Sequence, residues 1–231
     1  MSGKPTTPTP SEPVEAASAP CQVSEAGPDW TGLDRPPEGA DWSEIAAWRK
    51  AQRRRLFAFR EGLKGADRAD RSRRIAERLT AQIDDWTPHM IAVYWPLKGE
   101  PDMTGWMRRM VESGARVALP VVIEKKHPLI FREWRPGIRM VPGIWNIPVP
   151  AEGPSVIPTV AVAPLVGFDE NLYRLGHGGG YYDRTLASLN PRPLVIGIGY
   201  EDTRLGSIQP QPHDIPMNRI VTDQRVIEAP A

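Results

Sequence analysis

Between positions 41 and 63 the apolar residues Ile45, Trp48, Leu56, Phe59 and Leu63 recur near helical spacing, which predicts an amphipathic helix capped by Asp41 or Ser43. Its other face carries Arg49, Lys50, Arg53, Arg54, Arg55 and Arg60 and is expected to face solvent. A second helix is predicted over 68–83, with Ile75 and Leu79 inward. The pattern then alternates between short apolar runs and helical stretches. Met90 to Trp95, Arg116 to Val122, Leu129 to Trp134, Thr159 to Val166, Pro193 to Tyr200 and Arg219 to Thr222 read as strands. Asp102 to Ser113 reads as a helix closed by Gly114, and Tyr181 to Leu189 as another. Residues 136–158, dense in proline and glycine, read as an irregular connection. Strands alternating with helices predict a three-layer α/β domain, αβα, with a mostly parallel sheet.

Composition adds boundaries. Residues 1–40 are rich in Pro, Ser, Thr, Ala and Glu, too poor in apolar side chains to offset the entropy of ordering. They are expected to form a disordered leader, with residues 41–231 as a single domain. The 231 residues are 40% hydrophobic and 25% charged with net charge +1, so no global field favours nucleic acid or an anionic membrane. No run approaches the roughly 20 apolar residues of a membrane span, and the N-terminus has no secretory pattern. A cytoplasmic protein is expected. One cysteine, Cys21, excludes an intramolecular disulfide and a cysteine zinc cluster. No Gly-x-Ser-x-Gly elbow is present.

The chemistry concentrates in Arg174-Leu-Gly-His-Gly-Gly-Gly-Tyr-Tyr-Asp-Arg184. Gly176, Gly178, Gly179 and Gly180 bare the backbone ahead of a predicted helix, where N–H groups and the macrodipole favour anions. Arg174, His177, Tyr181, Tyr182 and Arg184 ring that backbone with donors, which suits a polyphosphate, and Asp183 suits its divalent cation. The spacing is neither a P-loop nor the dinucleotide fingerprint. Asp169 ends an apolar strand, where it is equally readable as a Mg²⁺ ligand, an orienter of an arginine, or a turn cap. Glu100, in a Gly-Glu-Pro turn after the first strand, is a candidate acceptor for a substrate amine, beside the simpler reading of a helix-start acid.

The run from Val162 to Arg184 resembles the 5-formyltetrahydrofolate cyclo-ligase family, also called 5,10-methenyltetrahydrofolate synthetase. Supporting matches, in order, are the basic helix at 49–60, Tyr94-Trp-Pro with Glu100, Ala118-Leu-Pro, Gly143-Ile144 and His213-Asp-Ile-Pro-Met before Ile220-Val-Thr. Gly179 stands where some relatives carry lysine, Asn218 where an aspartate is usual, and Trp145-Asn146 replaces an acid-proline step. The resemblance implies a cyclo-ligase-like fold and an ATP- and Mg²⁺-dependent ligase that closes 5-formyltetrahydrofolate to 5,10-methenyltetrahydrofolate through a phosphorylated formyl group. It implies Arg174 and Tyr182 as catalytic residues and Arg49, Lys50, Arg53, Arg174, the 176–180 loop with His177, Tyr181, Tyr182 and Asp183 as the ATP site. Arg49 and Lys50 compete for one ATP contact. Glu100 and Tyr181 are implied on the folate side, and Asp183, then Asp169, on Mg²⁺. Trp95 and Trp134 are candidates to stack on a pterin. The implied partners are ATP and a folate, possibly polyglutamylated, with no nucleic acid and no membrane, for a monomer or weak dimer. The alternatives are a relative of the same fold using another phosphorylated ligand, or a nucleotide- or RNA-binding module.

Overall fold

The computed structural model describes residue 32, residues 35–36 and residues 38–229, so most of the expected leader lies outside the described residues. The chain runs through α1 (Trp42–Gly62), α2 (Gly65–Thr80), β1 (Met90–Ala92), α3 (Thr104–Glu112), β2 (Arg116–Val121) and β3 (Ile130–Trp134). It continues through β4 (Met140–Pro142), β5 (Pro148–Pro150), β6 (Ser155–Val156), β7 (Val160–Pro164), β8 (Gly167–Phe168) and β9 (Arg174–Leu175). It ends with α4 (Tyr181–Ser188), β10 (Leu194–Gly199), β11 (Arg219–Thr222) and β12 (Val226–Glu228).

Eight strands form one sheet in the order β12-β11-β10-β7-β1-β2-β3-β6. The five central strands are parallel, and the outer β12, β3 and β6 pair antiparallel. The period of two sorts the two faces. Ile91, Val117, Val160, Val162, Ile196 and Ile198 point into a core closed by Ile75 and Leu79 of α2 and Trp106, Met107 and Met110 of α3. Met90, Ala92, Ala118, Ala161, Ala163 and Val195 point the other way, toward Leu186 of α4, Phe168 of β8 and the loop residues Leu165, Leu172 and Met217. Helices therefore cover both faces, as the alternation predicts.

Helix α1 begins with a reciprocal cap: the Asp41 carboxylate accepts from Glu44 N–H at 2.9 Å and the Glu44 carboxylate accepts from Asp41 N–H at 2.9 Å. Its Trp48, Leu56 and Phe57 bury against Val166, Leu175, Leu205 and Ile208. The expected solvent face of α1 is overturned in part. Arg60 is fully buried and Arg49 is 5% exposed, whereas Lys50 and Arg54 face solvent. Arg60 lies four residues beyond Leu56, on the inward row, and donates Nη1–H to Leu165 O at 3.1 Å.

Three further expectations need correction. The first strand ends at Ala92, because the chain turns away through Tyr94 and Trp95 toward Pro96. The 136–158 segment holds three short strands, the β4/β5 hairpin and edge strand β6. β12 adds a last antiparallel strand beyond the predicted one.

Candidate active site

Parallel strands β1, β2 and β7 all point their carboxyl ends at one cavity of about 340 Å³, the place where open α/β sheets bind ligands. One wall is apolar: Phe57 from α1, Trp95 and Leu97 after β1, Val122 after β2, and Ile144, Trp145, Ile147 and Val149 from the β4/β5 hairpin. The other wall carries Glu100, Arg174, His177, Tyr182 and Asp183.

The glycine loop forms that polar wall with its backbone. Gly178 has φ +97° and Gly180, the N-cap of α4, has φ +63°, both in the left-handed region that L side chains rarely adopt. A Cβ on Gly179 would sit 2.8 Å from the Tyr181 ring, and one on Gly180 would sit 2.8 Å from Arg184 Nη1. Arg53 donates Nε–H to Gly176 O at 2.7 Å, and Arg184 donates Nη2–H to Gly179 O at 2.6 Å. These bonds tie two of the loop's carbonyls to guanidinium groups. Arg174, brought in by β9, lies 3.1 Å from Asp183 through Nη2 and 5.3 Å from the centroid of the Tyr182 ring.

Glu100 sits at the floor, 4% exposed. Its Oε2 accepts from Leu97 N–H at 2.9 Å, closing a tight turn through Lys98 (φ 46°) and Gly99 (φ 72°). Its Oε1 lies 4.0 Å from Arg60 Nη1 and 3.2 Å from His177 Nε2. Burial raises its pKa to about 7, with Arg60, the Leu97 N–H and Lys98 pulling the other way. His177 is driven the opposite way: desolvation of the ring, then the cations Arg60, Lys98, Arg53 and Arg174, lower its pKa to about 3, although the side chain as a whole is 37% exposed. Burial also pushes the Tyr182 phenol up, with Glu100 adding to the shift.

Gly99 explains how this carboxylate is placed. A Cβ there would meet Arg60 O at 2.5 Å, so only glycine lets the Glu100 turn lie against α1. Gly99→Ala is expected to cost about 2–4 kcal/mol of stability, from a left-handed alanine and an overpacked contact. A denaturant melt with an unchanged midpoint would contradict this reading.

Several sequence-predicted residues lie elsewhere. Asp169 is fully buried; Oδ1 accepts from the N–H groups of Asn171 and Tyr173, and Oδ2 from Ile208 N–H at 2.9 Å. Its oxygens are spent on a turn, which corrects its reading as a metal ligand. Arg49 pairs with Asp214 at 2.7 Å rather than lining the cavity, and Lys50 points to solvent, so Arg53 is the cation of that group that reaches the loop. Trp134 is a core residue, whereas Trp95 does line the cavity. Asn218 accepts from Val195 N–H at 2.8 Å, a structural use of that position. Residues that the sequence alone did not single out for the site are Arg60, Phe57, Lys98 and Trp145. Trp145, at φ 58°, meets Tyr181 edge-on at 5.4 Å, and a bulky residue with positive φ is an outlier.

Among the described residues no three His, Cys, Asp or Glu side chains converge to hold a metal. Two carboxylates line the cavity, Glu100 and Asp183, and of these Asp183 lies against Arg174. A single carboxylate fits Mg²⁺ that arrives on phosphate oxygens and keeps its waters, and does not fit a protein-caged ion.

A family model for the 5-formyltetrahydrofolate cyclo-ligase family matches residues 45–223. A 5-formyltetrahydrofolate cyclo-ligase of Mycolicibacterium smegmatis is 32% identical over 151 residues, covering 60% of this chain and 76% of that protein. One from Escherichia coli is 32% identical over 151 residues, covering 61% and 81%. Among solved structures, a 5,10-methenyltetrahydrofolate synthetase of Aquifex aeolicus superposes with TM-score 0.69 at 26% identity, covering 79% of this chain and 93% of that one. That of Mycoplasma pneumoniae gives 0.63 at 26% identity, covering 76% and 98%. The match spans α1 through the strand that ends at Thr222, and so takes in every wall of the cavity. This chain belongs to the 5-formyltetrahydrofolate cyclo-ligase family.

Proposed function

We propose that this chain closes 5-formyltetrahydrofolate to 5,10-methenyltetrahydrofolate, using ATP with Mg²⁺ and releasing ADP and phosphate. The observation that carries the reading is a set of buried polar atoms without hydrogen-bond partners in one cavity: Arg174 Nε and Tyr182 Oη, beside Glu100 Oε1 and His177 Nε2, which face each other at 3.2 Å. Buried groups left unpaired cost about 1–3 kcal/mol each, and a ligand that pairs them removes that cost. The apolar wall opposite suits a flat heterocycle. The relatives named above are 5-formyltetrahydrofolate cyclo-ligases, which agrees with such a ligand.

A formyl oxygen is a poor leaving group until it carries a phosphoryl group. The bare loop and Arg174 stabilise the charge on the γ-phosphoryl group as it moves from ATP to that oxygen, and Tyr182 offers its O–H to the same group. Asp183 would hold the Mg²⁺, which spreads the phosphate charge. The secondary amine at N10 of the folate then attacks the activated formyl carbon. Its N–H bond breaks as the new C–N bond forms, and Glu100 takes the proton. The C–O bond breaks and its electron pair leaves with phosphate, giving the methenyl cation. Positioning supplies most of the rate, because both reacting nitrogens belong to one molecule. The RNA-binding alternative is disfavoured by α1, where Arg49 and Arg60 turn inward.

The test is a turnover assay: protein with ATP, Mg²⁺ and 5-formyltetrahydrofolate develops the absorbance of the methenyl product, and omission of any one abolishes it. Folded protein that forms no product overturns the proposal. The same assay reads Glu100. Its carboxyl is neutral below about pH 7 and charged above, and only the carboxylate accepts a proton. kcat/KM is therefore expected to rise with pH through an acid limb near 7. A profile already flat from pH 5.5 upward would remove Glu100 as the acceptor.

A further inference from the structure

We propose that His177 is a positioning residue for ring closure: its Nε2–H holds the Glu100 carboxylate in place to take the proton released by the attacking nitrogen. This rests on the cyclo-ligase reading and adds to it a residue outside the phosphate machinery.

Glu100 Oε1 and His177 Nε2 face each other across 3.2 Å inside the cavity. At this separation the N–H is not aligned on the carboxylate as a hydrogen bond requires, and neither atom has another hydrogen-bond partner among the described residues, so a small rotation of the ring would pair them. The second Glu100 oxygen is already taken by Leu97 N–H, so Oε1 is the one left to meet a substrate. The imidazole stacks on Phe57 with centroids 5.3 Å apart and planes at 29°, which favours this placement of the ring. Its place in the chain is set by the bend at Gly178, one residue on. The loop that suits phosphate thus also delivers a ring nitrogen to the carboxylate on the cavity floor.

The charges around the pair fix its protonation. Arg53 and Arg60 approach from α1, Lys98 and Tyr94 from the segment after β1, Arg174 from β9 and Tyr182 from α4. Four of these are cations, and with desolvation they disfavour a further positive charge on the imidazole. A neutral imidazole still has one N–H. Directed at Oε1, that N–H favours the charged form of Glu100, the form ring closure requires. When the N10–H bond breaks, the proton passes to Glu100, and no proton crosses His177. The histidine is therefore not a catalytic residue. It sets the orientation and proton affinity of one.

The experiment compares the wild-type protein with His177→Phe and His177→Gln in pH profiles of kcat/KM, together with binding of 5-formyltetrahydrofolate in the absence of ATP. His177→Phe keeps a planar ring on Phe57 and removes the donor. Its acid limb is expected to move up by about one pH unit, equivalent to about tenfold in rate on that limb, with the folate dissociation constant changed less than about twofold. His177→Gln restores an N–H donor and is expected to bring the limb back toward the wild-type position. A purely structural histidine would lower rates at every pH without moving the limb. An unmoved limb in His177→Phe, a limb moved down, or a glutamine that rescues nothing overturns the proposal.

Nitrogen-15 NMR of histidine-labelled wild-type protein tests the contact without a variant at the pair. The His177 signal is expected as the neutral Nε2–H tautomer throughout pH 5–8. A neutral Nδ1–H tautomer, or a ring that titrates near 6.5, would sink it. Absence of turnover in the wild type overturns the cyclo-ligase reading and leaves this spectrum to judge the contact. Turnover with an unmoved limb overturns only the role of His177.

Discussion

Arg174→Ala is expected to lower kcat by about 10²–10³-fold, the scale of losing one preorganised donor to a developing anion. The guanidinium is 5% exposed, sits 3.1 Å from Asp183 and lies over the Tyr182 ring at 5.3 Å. Its removal takes away a cation and leaves the Asp183 carboxylate uncompensated beside the phosphates. The two effects act in the same direction on the transferring group. Asp183 keeps the Ile215 N–H as a partner at 3.3 Å, so the fold should survive. Arg174→Lys separates charge from shape. A lysine restores the charge without the planar fork, and an intermediate loss is expected. Rates by product absorbance, set beside thermal melts of each variant, make the check. A kcat within tenfold of wild type in a folded Arg174→Ala protein would remove this arginine from the chemistry.

The second large effect is expected at the loop backbone. Gly178→Val should weaken ATP binding by at least about 100-fold, or 2.7 kcal/mol on the scale of 1.4 kcal/mol per factor of ten. At φ +97° a β-branched residue is strained whatever space surrounds it. Its first carbon would stand 3.7 Å from the Arg53 guanidinium, an ordinary contact, but the branch beyond would crowd the group that fixes Gly176 O. Gly105→Ala, in α3 and outside the cavity, is the control, because a Cβ there meets only Arg109 Nη1 at 3.8 Å and φ is not positive. It should bind ATP normally. Calorimetry with ATP, and separately with the folate, reads the difference. Unaltered ATP affinity in Gly178→Val would mean that the phosphates do not approach this backbone.

Both predictions concern the segment that was plainest in the sequence. Four glycines and their polar neighbours are contiguous, so their chemistry can be read without knowing the fold. The strand pattern was legible for a similar reason. Val160, Val162, Ile196 and Ile198 alternate with Ala161, Ala163, Val195 and Gly197, and a buried parallel strand demands apolar residues on both faces. The short strands at 140–156 were hidden by their prolines, which hairpin and edge positions tolerate.

The rest of the site depended on contacts between distant positions. Arg60 reads as a surface cation on α1, and becomes a buried one only because Leu165 O and Glu100, 105 and 40 residues further on, are brought to it. Asp169 carries the same carboxylate as Asp183, yet Ile208 N–H, 39 residues away, turns it into a structural brace. His177 looks like one more phosphate donor until folding places Glu100 at 3.2 Å.

What this chain declares on its own is local: which stretches alternate, where the backbone is bare, and that an anion suits that bare stretch. Burial and pairing are properties of two or more segments at once. They set the raised pKa of Glu100, the lowered pKa of His177 and the different partners of Asp169 and Asp183, and they exist only after the sheet has gathered its strand ends around one cavity.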